Sequence, residues 1–574
     1  MSTLRPRRFF LGSLCVGVVL VLPASPGSSW PAVQAAEPVP GLLGHWPLAG
    51  DGRDVSGHGR HATAQGVDWQ VVGPSGQPAT AAGFDGRAAR LEIPAAALPP
   101  LGTRDFSLSV WVRVADTQSD LPGDVLSQYD PARQRGWHLS LATHAGVTFN
   151  QAGWRLPQFG IDNQQTSTWE DCGRPGNGLL AFALAVHDGQ LFAGVCRPGA
   201  DETGRVYRYQ GGTQWEDCGA PDDSNTVTAL ATYRGQLYAG TGKYRLAGSA
   251  LPESLNPRLG GRVFRYAGGQ QWIPCGRLGE SEAVAGLVVY RDQLYAASLY
   301  KPAGFFRYGG DTQWQAEPVP DGRRVESLGI YNGHLYATTY DGGRVYRFDG
   351  RDWLDCGALG DEGQNTQTYA FAVYQGKLMA GTWPSGRVYQ FVAPGEWRDF
   401  GRLGEELEVM GMLVHNGRLV AGTLPGAEIH TLTRPGHWQR LTQLDTTPDV
   451  KYRRAWTLAE FQGKLFCSTL PSGRIFSTQF GRTAMAGHSF PAGWQPLTAV
   501  RRGPRLELYV AGRQVAVSEP FAVDQYDLST AEPLVVGSGP SDFFDGQLAH
   551  LRLYERALSK REIEELASAF TPAR

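Results

Sequence analysis

Ala229-Leu-Ala-Thr-Tyr-Arg-Gly-Gln-Leu-Tyr-Ala-Gly-Thr241, followed by Gly261-Arg-Val-Phe-Arg-Tyr266 and Trp272-Ile-Pro-Cys-Gly276, is the first whole copy of a phrase that returns seven times. Its anchoring leucines are Leu191, Leu237, Leu294, Leu335, Leu378, Leu419 and Leu465, spaced 46, 57, 41, 43, 41 and 46 residues apart. A period of about forty-five residues suits one four-stranded propeller blade. In each copy an apolar run ends in a tight turn such as Arg234-Gly235 or Asn332-Gly333, and the chain returns as an alternating strand. That is a hairpin signature. A third strand follows (Gly204 to Tyr209, Gly261 to Tyr266, Gly304 to Tyr308, Gly343 to Phe348, Gly386 to Phe391, with weaker copies at Gly426 and Gly473), and a fourth begins at Trp169, Trp215, Trp272, Trp314, Trp353, Trp397 or Trp438. Eight positions before each anchoring leucine stands a small residue: Ala183, Ala229, Gly286, Ser327, Ala370, Gly411 or Thr457. Innermost strands need small side chains where several blades crowd one axis. The first Trp strand, Trp169 to Gly173, precedes every hairpin, and none follows the last set. A closed ring predicts that this strand becomes the outer strand of the last blade, beside Trp456 to Phe476, leaving no wide edge open. The reading is a seven-bladed β-propeller over residues 160–480.

The 574 residues suffice for two or more domains with sizeable cores. With 74 Gly, 37 Pro and 19% charged residues, the composition is that of a turn-rich, all-β protein. Residues 1–35 combine a basic start, an apolar run from Leu11 to Leu22 and a Val33-Gln34-Ala35 cleavage-type sequence, which reads as an export signal. Arg7-Arg8-Phe9-Phe10-Leu11 resembles a twin-arginine signal; the alternative is an ordinary secretory leader. Both place the chain in the periplasm or outside the cell. Cys15 follows Leu14 instead of a small residue, which argues against a lipid anchor. No later segment has the length and apolarity of a membrane span. Loss of Arg5, Arg7 and Arg8 with the leader takes the formal net charge from −2 to −5, which argues against nucleic acid as an electrostatically driven partner. Of the six later cysteines, Cys172, Cys218, Cys275 and Cys356 occupy one place in different Trp strands, too far apart for disulfide geometry. They read as small buried hydrophobes. A disulfide at Cys196 or Cys467 stays open, and no pair has zinc-ligand spacing.

Ahead of the repeats stand Leu42-Leu-Gly-His-Trp-Pro-Leu48, Asp51-Gly-Arg-Asp54-Val-Ser-Gly57-His-Gly59, Phe84-Asp-Gly86, Leu91-Glu-Ile93 and Asp105-Phe-Ser-Leu-Ser-Val-Trp111-Val-Arg-Val114. The last of these alternates as a half-buried strand does. After the repeats come Leu506-Glu-Leu-Tyr-Val-Ala-Gly512, Phe544-Asp-Gly-Gln-Leu-Ala-His-Leu-Arg-Leu-Tyr554, Arg556-Ala-Leu-Ser559 and Glu562-Ile563. In this order the phrases resemble the LamG-like, concanavalin A-like jelly roll. Neither half holds a full set of strands, so residues 41–159 and 481–570 together imply one jelly roll into which the propeller is inserted, at a surface loop of the kind that tolerates insertion. The resemblance implies a lectin-like module. Calcium-dependent relatives of this fold bind the ion through carboxylates; two such positions are Ala511 and Ala549 here, which puts a calcium site in doubt, although Asp51 and Asp54 remain. No other cofactor is identified. His58 and His61 belong to the glycine-rich loop and read as turn residues.

In a propeller of this kind the loops between second and third strands share one face with those entering the next inner strand. That face is the default site. The longest such loop, Gly242 to Gly261, carries Lys243, Tyr244 and Arg245, which should neighbour Tyr300 and Lys301. Tyr340, Asp341, Trp383 and the Lys451-Tyr-Arg453-Arg-Ala-Trp456 approach face the same funnel. Rings interleaved with cations suit an anionic or neutral sugar, since rings stack on the pyranose face and cations pair with carboxylate or sulfate. The ligand-binding candidates are therefore Lys243, Tyr244, Arg245, Tyr300, Lys301, Tyr340, Asp341, Trp383, Arg453 and Trp456, and the expected partner is carbohydrate or a cell-surface glycan. A hydrolase would need two carboxylates across a bond; Glu253, Glu326, Asp341, Glu362 and Glu408 qualify, with no spacing that selects a pair. A lyase could use Tyr300 with Lys301 or Arg245. No HExxH, Gly-x-Ser-x-Gly or phosphate-cradling loop is present. The expectation is a non-catalytic carbohydrate-binding or surface-interaction protein, with a polysaccharide-degrading enzyme and a structural cell-surface protein as alternatives.

Overall fold

A computed structural model describes residues 39–115, 121–143, 145–147, 150–151 and 153–570. The export-signal reading of residues 1–35, its twin-arginine alternative and Cys15 lie outside the described residues. Among those that are described, no helix is long and apolar enough to cross a membrane.

Two twisted sheets form a sandwich, and each takes strands from both ends of the chain. One runs Asp68–Val71, Ala81–Asp85, Asp545–Tyr554, Phe106–Val114, Gly493–Arg502, Arg505–Val510 and Arg513–Val517, with Leu42–Trp46 also paired to Asp545–Tyr554. The other runs Thr63–Gln65, Arg90–Ile93, Leu534–Val536, Gly123–Asp130, Arg135–Ala142, Leu156–Thr166 and Phe480–Met485. Their inner faces bury Trp46, Phe84, Phe106, Trp137, Phe159 and Phe544 in one core. Phe106–Val114 departs from the half-buried strand its alternation suggests: every residue but Arg113 is buried. Leu108, Val110 and Val112 enter the inter-sheet core. On the other face Trp111 meets the Phe570 ring edge-on, and the Ser107 hydroxyl donates to Arg556 O while accepting from Leu558 N. The C-terminal segment that covers this face ends in the helix Lys560–Ser568, whose first turn is closed by a Ser559–Glu562 capping box. Ser559→Ala is expected to cost about 1 kcal/mol, read as a lowered urea midpoint.

The repeats form antiparallel four-strand sets. Five are separate sheets, and two more, Leu180–Asp217 and Thr226–Arg277, are joined into one eight-stranded sheet by a single bridge, Cys196 to Thr226. Counted as separate blades the propeller arrangement has five, not the seven read from the repeats. The difference arises because Thr226 opens its inner strand directly against the end of the preceding hairpin. In one of the five sheets Glu170 and Asp171 pair with Ser477 and Phe476, so the first and last segments of the repeat region share a sheet.

The recurring tryptophans stitch neighbouring sets together. The indole N–H of Trp215 donates to Cys172 O, that of Trp272 to Cys218 O, that of Trp314 to Cys275 O and that of Trp397 to Cys356 O, at 2.7–2.8 Å. Cysteine stands where a small apolar side chain must fit beneath the next indole, and the six cysteines among the described residues are free and buried, with no disulfide at Cys196 or Cys467.

The turns of the inner hairpins face the sandwich. Gln375 N and Gly376 N donate to Pro540 O and Ser541 O, and Gly189 N donates to Gly487 O. Asn416 donates to Ile161 O and Phe480 O, and Arg418 grips Asp162 through two 2.7 Å bonds. A cavity of about 70 Å³, lined by His138, Gln158, Asn416 and Glu460 among others, remains at this junction. From the sandwich side a short hairpin, Ala145–Val147 with Asn150–Gln151, enters the ring of inner strands. Its first strand lies against Val325–Tyr331, Gln367–Tyr374, Glu408–His415 and Arg454–Phe461, and its second against Leu180–His187, Thr226–Tyr233 and Val284–Tyr290. The axis is thus filled from one end. The opposite face, carrying the second-to-third loops, lies away from the sandwich.

Candidate functional site

Each inner strand carries a β-bulge where its small residue stands: the ladder skips Phe182, Thr228 and Ala285, and skips the pairs Glu326-Ser327, Tyr369-Ala370, Met410-Gly411 and Trp456-Thr457. A bulge turns a side chain out of the regular alternation. The first skipped residue of each strand therefore belongs to one level of the axis, and that level is lopsided: Thr228 and Ala285 on one side, Glu326, Tyr369, Met410, Trp456 and Phe182 on the other.

Two residues nearer the mouth stand Arg324, just ahead of its strand, and Gln367, Glu408 and Arg454 within theirs. Glu326 and Glu408 are each 2% exposed and Arg454 6%. Glu326 Oε2, Glu408 Oε1, and Nε and Nη1 of Arg454 have no hydrogen-bond partner among the described residues. Buried polar atoms of native proteins are normally paired, so four orphans on one axis call for a ligand or solvent. Burial, then the neighbouring Glu408 charge, holds the Glu326 carboxyl well above the usual range. Burial pushes Glu408 up to about 7 against the opposing pull of Arg454 and the Tyr369 hydroxyl. Tyr369 donates to Gln367 Oε1 at 2.8 Å. The Arg454 guanidinium lies 5.6 Å from the ring centres of both Tyr452 and Trp456, and Trp456 packs on Phe182 and Tyr244 at 4.8 and 5.8 Å.

The residues expected from the sequence fall into two groups. Tyr244 and Trp456 are buried parts of this aromatic cluster; the Tyr244 hydroxyl is 2.6 Å from Ser249 Oγ, and burial pushes it up to about 12. Nearer the surface, Arg245 N donates to the Tyr300 hydroxyl at 3.1 Å and its guanidinium caps that ring at 5.5 Å while pairing with Glu282. Tyr340 lies under Arg324 at 4.1 Å, and Arg324 forks onto Asp341 at 2.9 and 2.6 Å, holding that carboxyl below its ordinary value. Trp383 is half-buried and meets Tyr452 edge-on. Lys243 Nζ donates to Asn256 O and Arg453 Nε to Thr447 O, so both brace loops. Lys301 is exposed, its charge reaching Asp341. The cations read as free ligands of an anionic sugar are thus mostly engaged within the protein.

The five candidate carboxylates also separate. Glu253 accepts from Leu246 N, Ala247 N and Ser254 N and shapes the long loop, Glu362 pairs with Arg344 at the surface, and Asp341 is held by Arg324. Only Glu326 and Glu408 share the axis. The signal for them was present: a glutamate inside an inner strand, at places filled by Phe182 and Thr228 or by Leu180 and Thr226 in other copies. In the jelly-roll loop, Asp54 accepts from His45 N, Ser56 N and Arg60 N, Asp51 pairs with Arg53, and His61 and His58 bond backbone groups. Among the described residues no three His, Cys, Asp or Glu side chains gather as a metal-holding group.

One family model matches part of the chain. Residues 463–564 match the family described as the Concanavalin A-like lectin/glucanases superfamily. That stretch spans the sandwich strands from Phe480–Met485 to Asp545–Tyr554. No curated protein matches the sequence. Among solved structures, a streptogramin B lyase is similar at 10% identity and a TM-score of 0.44, over 55% of this chain and 99% of its own. Virginiamycin B lyase from Staphylococcus aureus is similar at 9% identity and 0.43, with the same coverage, and the WD40 β-propeller domain of Doa1 at 11% and 0.38, over 55% of this chain and 97% of its own. The chain contains a concanavalin A-like region and a propeller arrangement.

Proposed function

We propose that this is an exported, non-catalytic carbohydrate-binding protein: a jelly roll divided by an inserted propeller of seven blades, the eight-stranded sheet counting as two, with a glycan seated in the propeller mouth. The observation that carries the binding reading is the set of orphaned polar atoms on Glu326, Glu408 and Arg454 beside aromatic rings. A sugar hydroxyl both donates and accepts, so one polyhydroxylated ligand can satisfy carboxylate acceptors and guanidinium donors together while Tyr300, Tyr340 and Trp383 cover its apolar faces. The lectin/glucanase-type region supports a carbohydrate partner, and the basic start with the apolar run Leu11 to Leu22 supports export. The test is calorimetric titration with a panel of oligosaccharides. Tyr300→Ala and Tyr340→Ala should each weaken binding about tenfold, as loss of one stacking ring does; undiminished affinity in both removes the mouth as the site.

A polysaccharide-degrading enzyme is the second reading, favoured by Glu326 and Glu408, whose raised carboxyls suit general-acid work. New reducing ends after incubation with the same oligosaccharides, lost in Glu408→Gln, would replace the first reading with this one.

A further inference from the structure

We propose that the floor of the mouth recognises a protonated amine, which makes the ligand an amino sugar. This rests on the carbohydrate reading and narrows it. The argument is a census of charge around the axis. Arg324 is engaged by Asp341 and Arg245 by Glu282, while Lys301, whose charge also reaches Asp341, is exposed to solvent that screens it. Among the described residues, the buried charges that remain are one cation, Arg454, and two carboxylates, Glu326 and Glu408. All three are at least nine-tenths buried, and each holds a polar atom with no partner among the described residues.

Buried charges need to be matched, because the low dielectric magnifies both attraction and the cost of leaving one alone. With both carboxyls ionised the floor carries one negative charge in excess. A uronate would add to that excess, and a neutral hexose would leave it unchanged. An ammonium group cancels it. Its three N–H donors suit two carboxyls whose charges act on each other, and the Trp456 ring already accommodates a cation in Arg454. Arg454 keeps free donors for a hydroxyl beside the amine.

Absent ligand, the carboxyls relieve the excess by retaining protons. The charged and titratable groups facing them are Arg324, Asp341, Arg454, Tyr300, Tyr340 and Tyr369, with Tyr244 beside Glu408. Amine binding should therefore release protons from Glu326 and Glu408.

The test uses the full chain and three tetrasaccharides of one linkage: β-1,4-glucosamine, its N-acetylated form and cellotetraose, titrated by calorimetry in two buffers of different ionisation enthalpy. The glucosamine tetramer is expected to bind at least tenfold tighter than the other two, with proton release that they do not show. Glu326→Gln and Glu408→Gln should each erase most of that preference, with circular dichroism confirming the fold. Arg454→Met, which removes the resident cation, should enlarge it. Equal or tighter binding of the acetylated or neutral tetramer to the wild-type chain overturns the inference while leaving the carbohydrate reading standing. Binding of none of the three removes both.

Discussion

Replacing Asp162 with alanine is expected to cost roughly 3–5 kcal/mol of stability, the penalty for stranding a buried charge. Asp162 is fully buried on the sandwich strand Leu156–Thr166, and both its oxygens accept from Arg418, whose side chain is 4% exposed. Arg418 also donates to Thr166 Oγ1 and Gln165 O, but neither acceptor carries charge. The alanine variant therefore leaves a guanidinium inside the junction with no counter-ion. Urea unfolding followed by tryptophan fluorescence reads the loss. The exposed pair Arg561 with Glu565 is the control, since Glu565→Ala there should leave the urea midpoint close to that of the wild type. Joint replacement by Asp162→Leu and Arg418→Met should recover most of the deficit, because a well-packed apolar pair does not bear the cost of desolvating ions. A deficit in Asp162→Ala no larger than the control's would mean that this ion pair does not join sandwich to propeller.

Asp124→Asn should change how stability depends on pH. Asp124 is fully buried; its Oδ2 accepts from Ser541 N and Asp542 N, and its Oδ1 has no hydrogen-bond partner among the described residues, with His138 Nδ1 3.9 Å from that carboxylate oxygen. Burial raises the carboxyl from 3.8 to about 7, outweighing the two backbone hydrogen bonds. Between those values the native chain holds a proton that the unfolded chain has lost, so this group's contribution to stability falls as pH rises through the window and is least above 7. Asparagine keeps the shape and removes the titration. The variant should match the wild type near pH 4 and exceed it by about 3–4 kcal/mol at pH 8. Parallel pH profiles of the two proteins would show that Asp124 does not titrate in this way.

Much of the fold can be read from short-range chemistry. Arg234-Gly235, Asn332-Gly333 and Asn416-Gly417 all take positive φ at both positions, the turn that a two-residue hairpin needs, and the repeated Trp reports a hydrogen bond to the neighbouring set. Three features are not local and were missed. The bridge from Cys196 to Thr226 depends on how closely two successive sets approach. The hairpin Ala145–Gln151 is placed by the sandwich and acts on strands far along the chain. The engagement of Arg245 and Arg324 depends on Glu282 and Asp341, whose proximity no spacing announces. For the proposed site, sequence patterning singles out Tyr300 and Tyr340 but ranks cations above carboxylates. Only the bulges turn Glu326 toward the axis, and a bulge is invisible to a simple count of alternating residues.

The pairing of Trp111 with Pro496, and of Glu170 with Ser477, also bears on how the molecule is made. A ribosome delivers the early partner of each pair long before the late one. The emerging chain must therefore wait, with half a sandwich and an open circle of strands, until its closing segments leave the exit tunnel. Such long-range ordering is slow and leaves strand borders unprotected meanwhile. Truncation a short distance before residue 480 should therefore yield not a smaller folded protein but a sticky intermediate, and holding chaperones would be natural companions of its synthesis.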